Sequence, residues 1–355
     1  MALSVIQGQE ALVAGTFGEY HITRNVEIPS PREDQILCKV GAIALNPADA
    51  KMADYSATPG SVGGNDFAGE VIEVGERVRR FKQGDRIFAF TFGLNPTDKV
   101  TGAFGRYALA TEDLACLIPE TMSYNEASTL GLAIATAGTA IFQALKLPWP
   151  TEPSKKPFHV LVSGGATSTG AMAIQMIKSA GLTPIATCSP ANADLVKSLG
   201  AEQVFDYRSP SCGADIRSYT SNSLAHVLDC VTDAETMKMC YEAIGAPGGM
   251  YVAIDPFATR IQYSRRDVRA DWLMIYSLFG NPVKLAGVYG RPAQPQDREF
   301  ASRLFPMAEK LLSQGLLRPH PIEIRTGGLK TISYGIDDLR AGRVRAKKLV
   351  YPIAA

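Results

Sequence analysis

The chain has 355 residues, 46% of them hydrophobic and 20% charged, with a formal net charge of +1. That length is more than one small core requires and predicts two domains, or one large domain carrying an insertion. The near-neutral charge argues against nucleic acid as the main partner. No run of about 18 apolar residues reads as a membrane span, and the start MALSVIQGQEALVAG has no cationic region of a signal peptide, so a cytoplasmic protein is expected.

The first third reads as strands and turns. QILCKVGAIAL (35–45), GEVIEVG (69–75), GDRIFAF (84–90) and GRYALAT (105–111) are β-like, punctuated by Gly and Pro as in a small irregular barrel. Ser123, with Glu126 three residues on, makes a capping box before the apolar helix of 123–145. After a loop at 148–157, strands and helices alternate. HVLVSG leads to a helix at 170–180, TPIATCS (183–189) to NADLVKSLG (192–200), and QVFDY (203–207) and SLAHVLDCV (223–231) follow. A helix around AETMKMCYEAIG then leads to GMYVAID (249–255). The alternation predicts an α/β fold with a doubly wound parallel sheet. WLMIYSLFG (272–280) reads as a core helix, and a helix at 297–314, strand-like HPIEIRTGG, a short helix at 331–341 and the strand KKLVYPI complete the chain. The β-rich flanks predict a split domain of 1–125 and 310–355, with a sheet domain of 126–309 inserted. The six cysteines are scattered without a CxxC and read as buried free thiols.

VLVSGGATSTGAMAIQMIK (160–178) reads as strand, turn and helix. A helix N-terminus offers unpaired amides and the positive end of a dipole, and so accepts a pyrophosphate without a charged side chain. Gly164 fits the tight turn and Gly170 the close packing of helix on sheet, while Ala166, Thr167, Ser168 and Thr169 form the cradle. An ordinary β–α turn is the alternative. The second strand ends in Ser189, Pro190, Ala191 and Asn192, with no acid to grip ribose hydroxyls as in NAD sites. Ser189 and Asn192 can donate to a 2′-phosphate, and Tyr207 ends the third strand beside them. This favours NADPH, although Ser-Pro-x-Asn is also helix-capping chemistry.

NPADAKM (46–52), GNDFAGEVIEVG (64–75), GDRI (84–87), GAFGRYA (102–108) and the loop of 162–170 together resemble the medium-chain dehydrogenase/reductase superfamily, on its quinone and enoyl reductase side. IATAGTA, ATCSPAN, FDYR, AIGAPGG and the terminal KKLV resemble, more closely, the trans-acting enoyl reductases of fungal polyketide pathways. The resemblance implies a Rossmann domain inserted into a GroES-like barrel domain. It implies NADPH as cofactor and, as partner, the acyl carrier protein of a polyketide synthase, in some cases fused to a peptide synthetase. A monomer is expected rather than a dimer. Where zinc-dependent relatives carry Gly-His-Glu, this chain has Gly64, Asn65 and Asp66, and 46–51 holds no cysteine. An amide is a poor zinc ligand, so no metal is expected.

The resemblance places Ala48, Asp49, Ala50 and Lys51 of the barrel-domain turn at the cofactor, with Lys51 at the nicotinamide ribose. It adds Ile254, Asp255, Val344 and Arg345 to the cofactor contacts. It sets the segment Ala133, Ile134, Ala135, Thr136, Ala137, Gly138, Thr139 and Ala140 against substrate and nicotinamide, with Thr136 the candidate polar group. Ile275, Tyr276, Ser277, Leu278 and Phe279 would line a greasy substrate wall. Tyr55 is a candidate proton donor, though its spacing does not match the tyrosine of mitochondrial enoyl reductases, and water is the alternative. The basic run of Arg260, Arg265, Arg266 and Arg269 is either a solvated face or a landing for an acidic carrier. The expected activity is therefore hydride transfer to an α,β-unsaturated thioester. A quinone or free-enone reductase is the alternative, and a non-catalytic nucleotide-binding protein, like the lens and regulatory members of the superfamily, is a third reading.

Overall fold

The computed structural model describes residues 8–16 and 18–353. The chain divides into two units. One comprises 1–135, 276–313 and 319–355, and the other 136–275 and 314–318.

The first unit is built on a largely antiparallel sheet. Its strands run in the order Ile322–Ile324, Lys348–Pro352, Gln35–Ala44, Asp66–Val74, Arg86–Phe90 and Ala115–Leu117, and Tyr107–Thr111 also pairs with Gln35–Ala44. Gln35–Ala44 bends through two register shifts, at Leu37/Cys38 and Val40/Ala42, and so serves three partners. A separate hairpin joins Gln9–Ala14 to Tyr20–Val26. Ile36, Ile43, Phe67, Ile87, Phe104 and Tyr351 fill the core.

The second unit holds a six-stranded, wholly parallel sheet. The strand order is Gln203–Asp206, Thr183–Cys188, His159–Ser163, His226–Asp229, Gly249–Ala253 and Val268–Trp272. In sequence order of the strands this is 3-2-1-4-5-6, the doubly wound arrangement, and its switch point lies between His159–Ser163 and His226–Asp229. The first two strands are almost continuously buried, as strands covered on both faces must be.

The structure departs from the sequence reading at five places. The inserted unit is narrower than 126–309. Residues 276–313 belong with the barrel because the helix Pro295–Ser313 is anchored there: Cys116 Sγ donates to the Phe305 carbonyl, and Arg298 binds Asp34 and Asp113. NPADAKM is not a turn but the start of the helix Pro47–Ser56. WLMIYSLFG is not a core helix. It ends the sixth strand, Val268–Trp272, and continues as a 3₁₀ turn at Ile275–Phe279. The helix Cys212–Tyr219 fills the connection between the third and fourth strands. Finally, Tyr124–Ala144 is by length and composition long and apolar enough to cross a membrane, contrary to the expectation above, but 89% of its apolar stretch is buried within the protein, as in a core helix. All six cysteines are free and buried, and burial raises every one of these thiols above its usual range.

Candidate cofactor site and a buried polar cluster

In the second unit, the loop after His159–Ser163 is set by backbone geometry. Gly164 has φ +79° and donates to Thr187 Oγ1 at 3.1 Å, while Gly165 N–H donates to the Thr187 carbonyl at 2.8 Å. Thr187, on the neighbouring strand, therefore clamps the loop. Thr167 caps the helix Ser168–Ser179, its hydroxyl accepting the Gly170 N–H at 3.0 Å. A Cβ on Gly170 would lie 2.3 Å from the Gly164 carbonyl oxygen, so only glycine lets helix and loop approach this closely. Ala166, Thr167, Ser168 and Thr169 line the helix start. The Ser168 hydroxyl is buried with no hydrogen-bond partner among the described residues. An orphaned hydroxyl at a capped helix N-terminus, on the carboxyl edge of a parallel sheet, fits a phosphate-bearing cofactor.

The second strand leads into a 3₁₀ turn at Pro190–Asn192, in which Asn192 Nδ2 donates to Ser189 Oγ at 3.1 Å. Ser189 makes no capping bond, so the pair is fixed by its own contact. Ala191 is exposed and Tyr207 is 48% exposed after the third strand. At the fourth strand, the fully buried Asp229 accepts from Tyr251 OH (2.8 Å), Thr236 Oγ1 (2.9 Å) and the amides of Val231 and Thr232. Its carbonyl takes the Ile254 N–H, which fixes Ile254 and Asp255 at the same sheet edge.

Ala133, Ile134, Ala135, Thr136, Ala137 and Gly138 belong to the helix Gly131–Gly138, which continues as a π-helix at Thr139–Ala144, and Thr136 and Thr139 are both buried. π-Helical turns often mark functional sites, and no sequence signal announced this one.

In the first unit, Lys51 and Tyr55 sit one turn apart on the helix Pro47–Ser56 and share a face. Lys51 is exposed; Tyr55 is 58% exposed and stacks on Tyr289 at 6.1 Å. Ala50 packs in the core. Asp49 turns its carboxylate inward, where it accepts the Asn46 N–H at 2.7 Å and Asn65 Nδ2 at 2.7 Å. The Asn65 amide oxygen in turn accepts from Tyr276 OH at 3.1 Å and Gly93 N–H at 3.3 Å. Asp66, beside it, accepts from Asn46 Nδ2, from the Leu132 N–H and from Lys348 Nζ at 2.6 Å. Asn65 and Asp66 are thus engaged in a hydrogen-bonded cluster, and among the described residues no three His, Cys, Asp or Glu side chains gather as a ligand set.

The residues expected to line a substrate wall take these places. Tyr276 stacks on Phe92 at 4.3 Å, Phe279 packs on Phe90, Leu278 is fully buried, and Ser277 is bonded to Asp297. Ile275 closes the second unit. Val344 packs on the barrel core and Arg345 is exposed. In the basic run, Arg265 is spent on Asp267 and on the Tyr241, Ile244 and Gly245 carbonyls. Asp267 pairs with the beginning of the fifth strand, so Arg266 and Arg269 lie at the amino edge of the sheet, opposite the cofactor edge.

A family model described as "Zinc-binding dehydrogenase" matches residues 168–273, and one described as "Alcohol dehydrogenase GroES-like domain" matches 32–120. A "Trans-enoyl reductase" of Gibberella fujikuroi is 57% identical over 98% of this chain and 100% of its own length. The chain belongs to the medium-chain dehydrogenase/reductase superfamily. Within it, the chain stands close to the trans-acting enoyl reductases: "Trans-enoyl reductase grgB" of a Penicillium species is 54% identical over 97% of this chain and 98% of its own. The fold also matches that described as "Crystal structure of CurK enoyl reductase", with a TM-score of 0.77 at 18% identity over 98% of this chain and 99% of that one. The chain is an oxidoreductase of the enoyl reductase type, and its Rossmann unit implies a nicotinamide cofactor. Its split barrel and 3-2-1-4-5-6 sheet are the two parts of this superfamily's architecture.

Proposed function

We propose that this chain is a trans-acting enoyl reductase that uses NADPH to reduce an α,β-unsaturated thioester held on the acyl carrier protein of a polyketide synthase. The observation that carries this reading is the end-to-end match to a trans-enoyl reductase at 57% identity. Support for NADPH comes from the second strand, which ends without an acid at Ser189 and Asn192, beside an exposed Tyr207. When bound, the cofactor supplies the hydride for the β-carbon.

The protein's own part is to hold, orient and protonate. The amides at the start of Ser168–Ser179 and the Ser168 hydroxyl bind phosphate oxygens. Lys51 bonds a ribose hydroxyl and orients the nicotinamide end. The hydroxyl of Thr136 offers a donor where enolate charge develops. The α-carbon takes its proton from Tyr55 or from water.

The test is the oxidation of NADPH, and separately of NADH, with an α-methyl enoyl pantetheine thioester and with a simple quinone. Faster turnover of the thioester and a preference for NADPH are expected. Faster turnover of the quinone would replace this function with that of a quinone reductase.

A further inference from the structure

We infer that Arg208 determines cofactor specificity by masking an acid, Asp206, that stands beside the adenosine end of the site. The inference rests on the NADPH reading above and deepens it. Asp206 is the last residue of the third strand, and the sheet register sets it opposite Cys188, the residue before Ser189. Paired strands lie about 4.8 Å apart, so Asp206 stands one strand over from the residue that leads into the Ser189–Asn192 turn. In such sheets an acid at the end of the second strand favours ribose hydroxyls and opposes a 2′-phosphate. Asp206 is offset by one strand from the position where the sequence is read for that acid.

Arg208 removes its effect. Its Nε donates to Asp206 Oδ1 at 3.0 Å and to Oδ2 at 3.3 Å, its Nη2 donates to Oδ2 at 3.0 Å, and its backbone N–H donates to Oδ1 at 3.1 Å. Both carboxylate oxygens are covered, in the fork geometry that only arginine provides. Arg208 holds the Asp206 carboxyl below its usual range, so the acid remains ionised and paired. The two side chains are 57% and 34% exposed, and a pair so open to water contributes little to folding. What it changes is the local field: a bare carboxylate becomes a neutral pair, and Tyr207 between the two partners stands at its edge.

The experiment compares two fragments, 2′,5′-ADP and 5′-AMP, titrated by calorimetry into the full-length wild type, Arg208→Gln and the double variant Asp206→Asn/Arg208→Gln. The fragments separate binding from turnover, and thermal melts of all three proteins should coincide. Wild type is expected to prefer 2′,5′-ADP. Arg208→Gln should lower that preference by about tenfold or more, because the exposed Asp206 then meets the 2′-phosphate as a like charge. The double variant, having no acid to mask, should return to within about threefold of wild type. An Arg208→Gln protein with the wild-type ratio overturns the inference alone. So does a double variant no better than Arg208→Gln, since Arg208 would then act by touching the phosphate itself. Wild type binding both fragments equally overturns the NADPH reading and this inference with it.

Discussion

Asn65 donates its side-chain amide to the Asp49 carboxylate at 2.7 Å, and both residues are 1% exposed. Burial pushes the Asp49 carboxyl up to about 7. The hydrogen bonds from Asn46 and Asn65 oppose this, nearby Asp66 adds to it, and Lys348 lessens it. Tyr20 OH donates to the Asp49 carbonyl, and both it and Tyr276 stay protonated, their phenols raised by burial. The folded value thus lies above the unfolded one of about 3.9. The folded state binds the Asp49 proton more tightly, so this contribution to stability is complete below about pH 4 and is lost as pH rises through about 7. Asp49→Asn cannot ionise. The stability difference between wild type and Asp49→Asn, read from urea midpoints, should shift toward the variant between about pH 4 and about pH 7. A difference that stays flat across that range sinks the assignment.

Lys348 and Asp66 form a buried ion pair, with side chains 5% and 0% exposed. Lys348 Nζ also donates to the Thr129 carbonyl at 3.0 Å. Lys348→Met leaves the Asp66 charge without its counter-ion and should cost about 3–5 kcal/mol in chemical denaturation. Adding Asp66→Asn should recover a large part of the loss, because it removes the stranded charge. A single variant within about 0.5 kcal/mol of wild type would mean that the pair is electrostatically idle.

Gly170→Ala tests the loop. Its new methyl would press on the Gly164 carbonyl, and backbone cannot swing aside as a side chain can. A stability loss of about 1–3 kcal/mol is expected, together with weaker NADPH binding, since the amides at the helix start move with the loop. Binding and melting unchanged from wild type would show the loop to be slack.

Lys51→Ser addresses catalysis. Lys51 is exposed on its helix and contributes no core packing, so the melting temperature should stay near native. If Lys51 orients the cofactor through a charge-assisted bond, turnover should fall by roughly tenfold or more. Wild-type rates would remove it from the site, and a collapsed melt would make it structural.

What the sequence made legible follows from range. The parallel sheet could be read because most of its strands carry short apolar runs between helical segments, and the phosphate loop because its glycines lie within seven residues of one another. The sixth strand could not: its burial alternates, with Arg269 and Asp271 outward on an edge strand, and it reads as a basic surface run. The helix Pro47–Ser56 does carry a local signal, Asn46 with Asp49 three residues on, whose carboxylate accepts the Asn46 N–H. The Asp49, Asn65 and Tyr276 chain joins residues 16 and 211 positions apart, and no local pattern encodes such a meeting. Asp206 and Arg208 lie two apart in FDYR, but only the strand register brings them beside Ser189.

The closing strand of the barrel, Lys348–Pro352, has consequences for how the chain is made. It supplies the counter-ion of Asp66 from 282 residues downstream. At ordinary rates of translation, roughly 15–60 s pass between the two. During that interval the segment 136–275 emerges whole and can complete its sheet, while Gln35–Ala44 waits with an unpaired edge and an uncompensated carboxylate nearby. The barrel sheet is therefore the part of the fold that the chain can close last, since its pairing with Gln35–Ala44 and the counter-ion of Asp66 both wait for Lys348–Pro352.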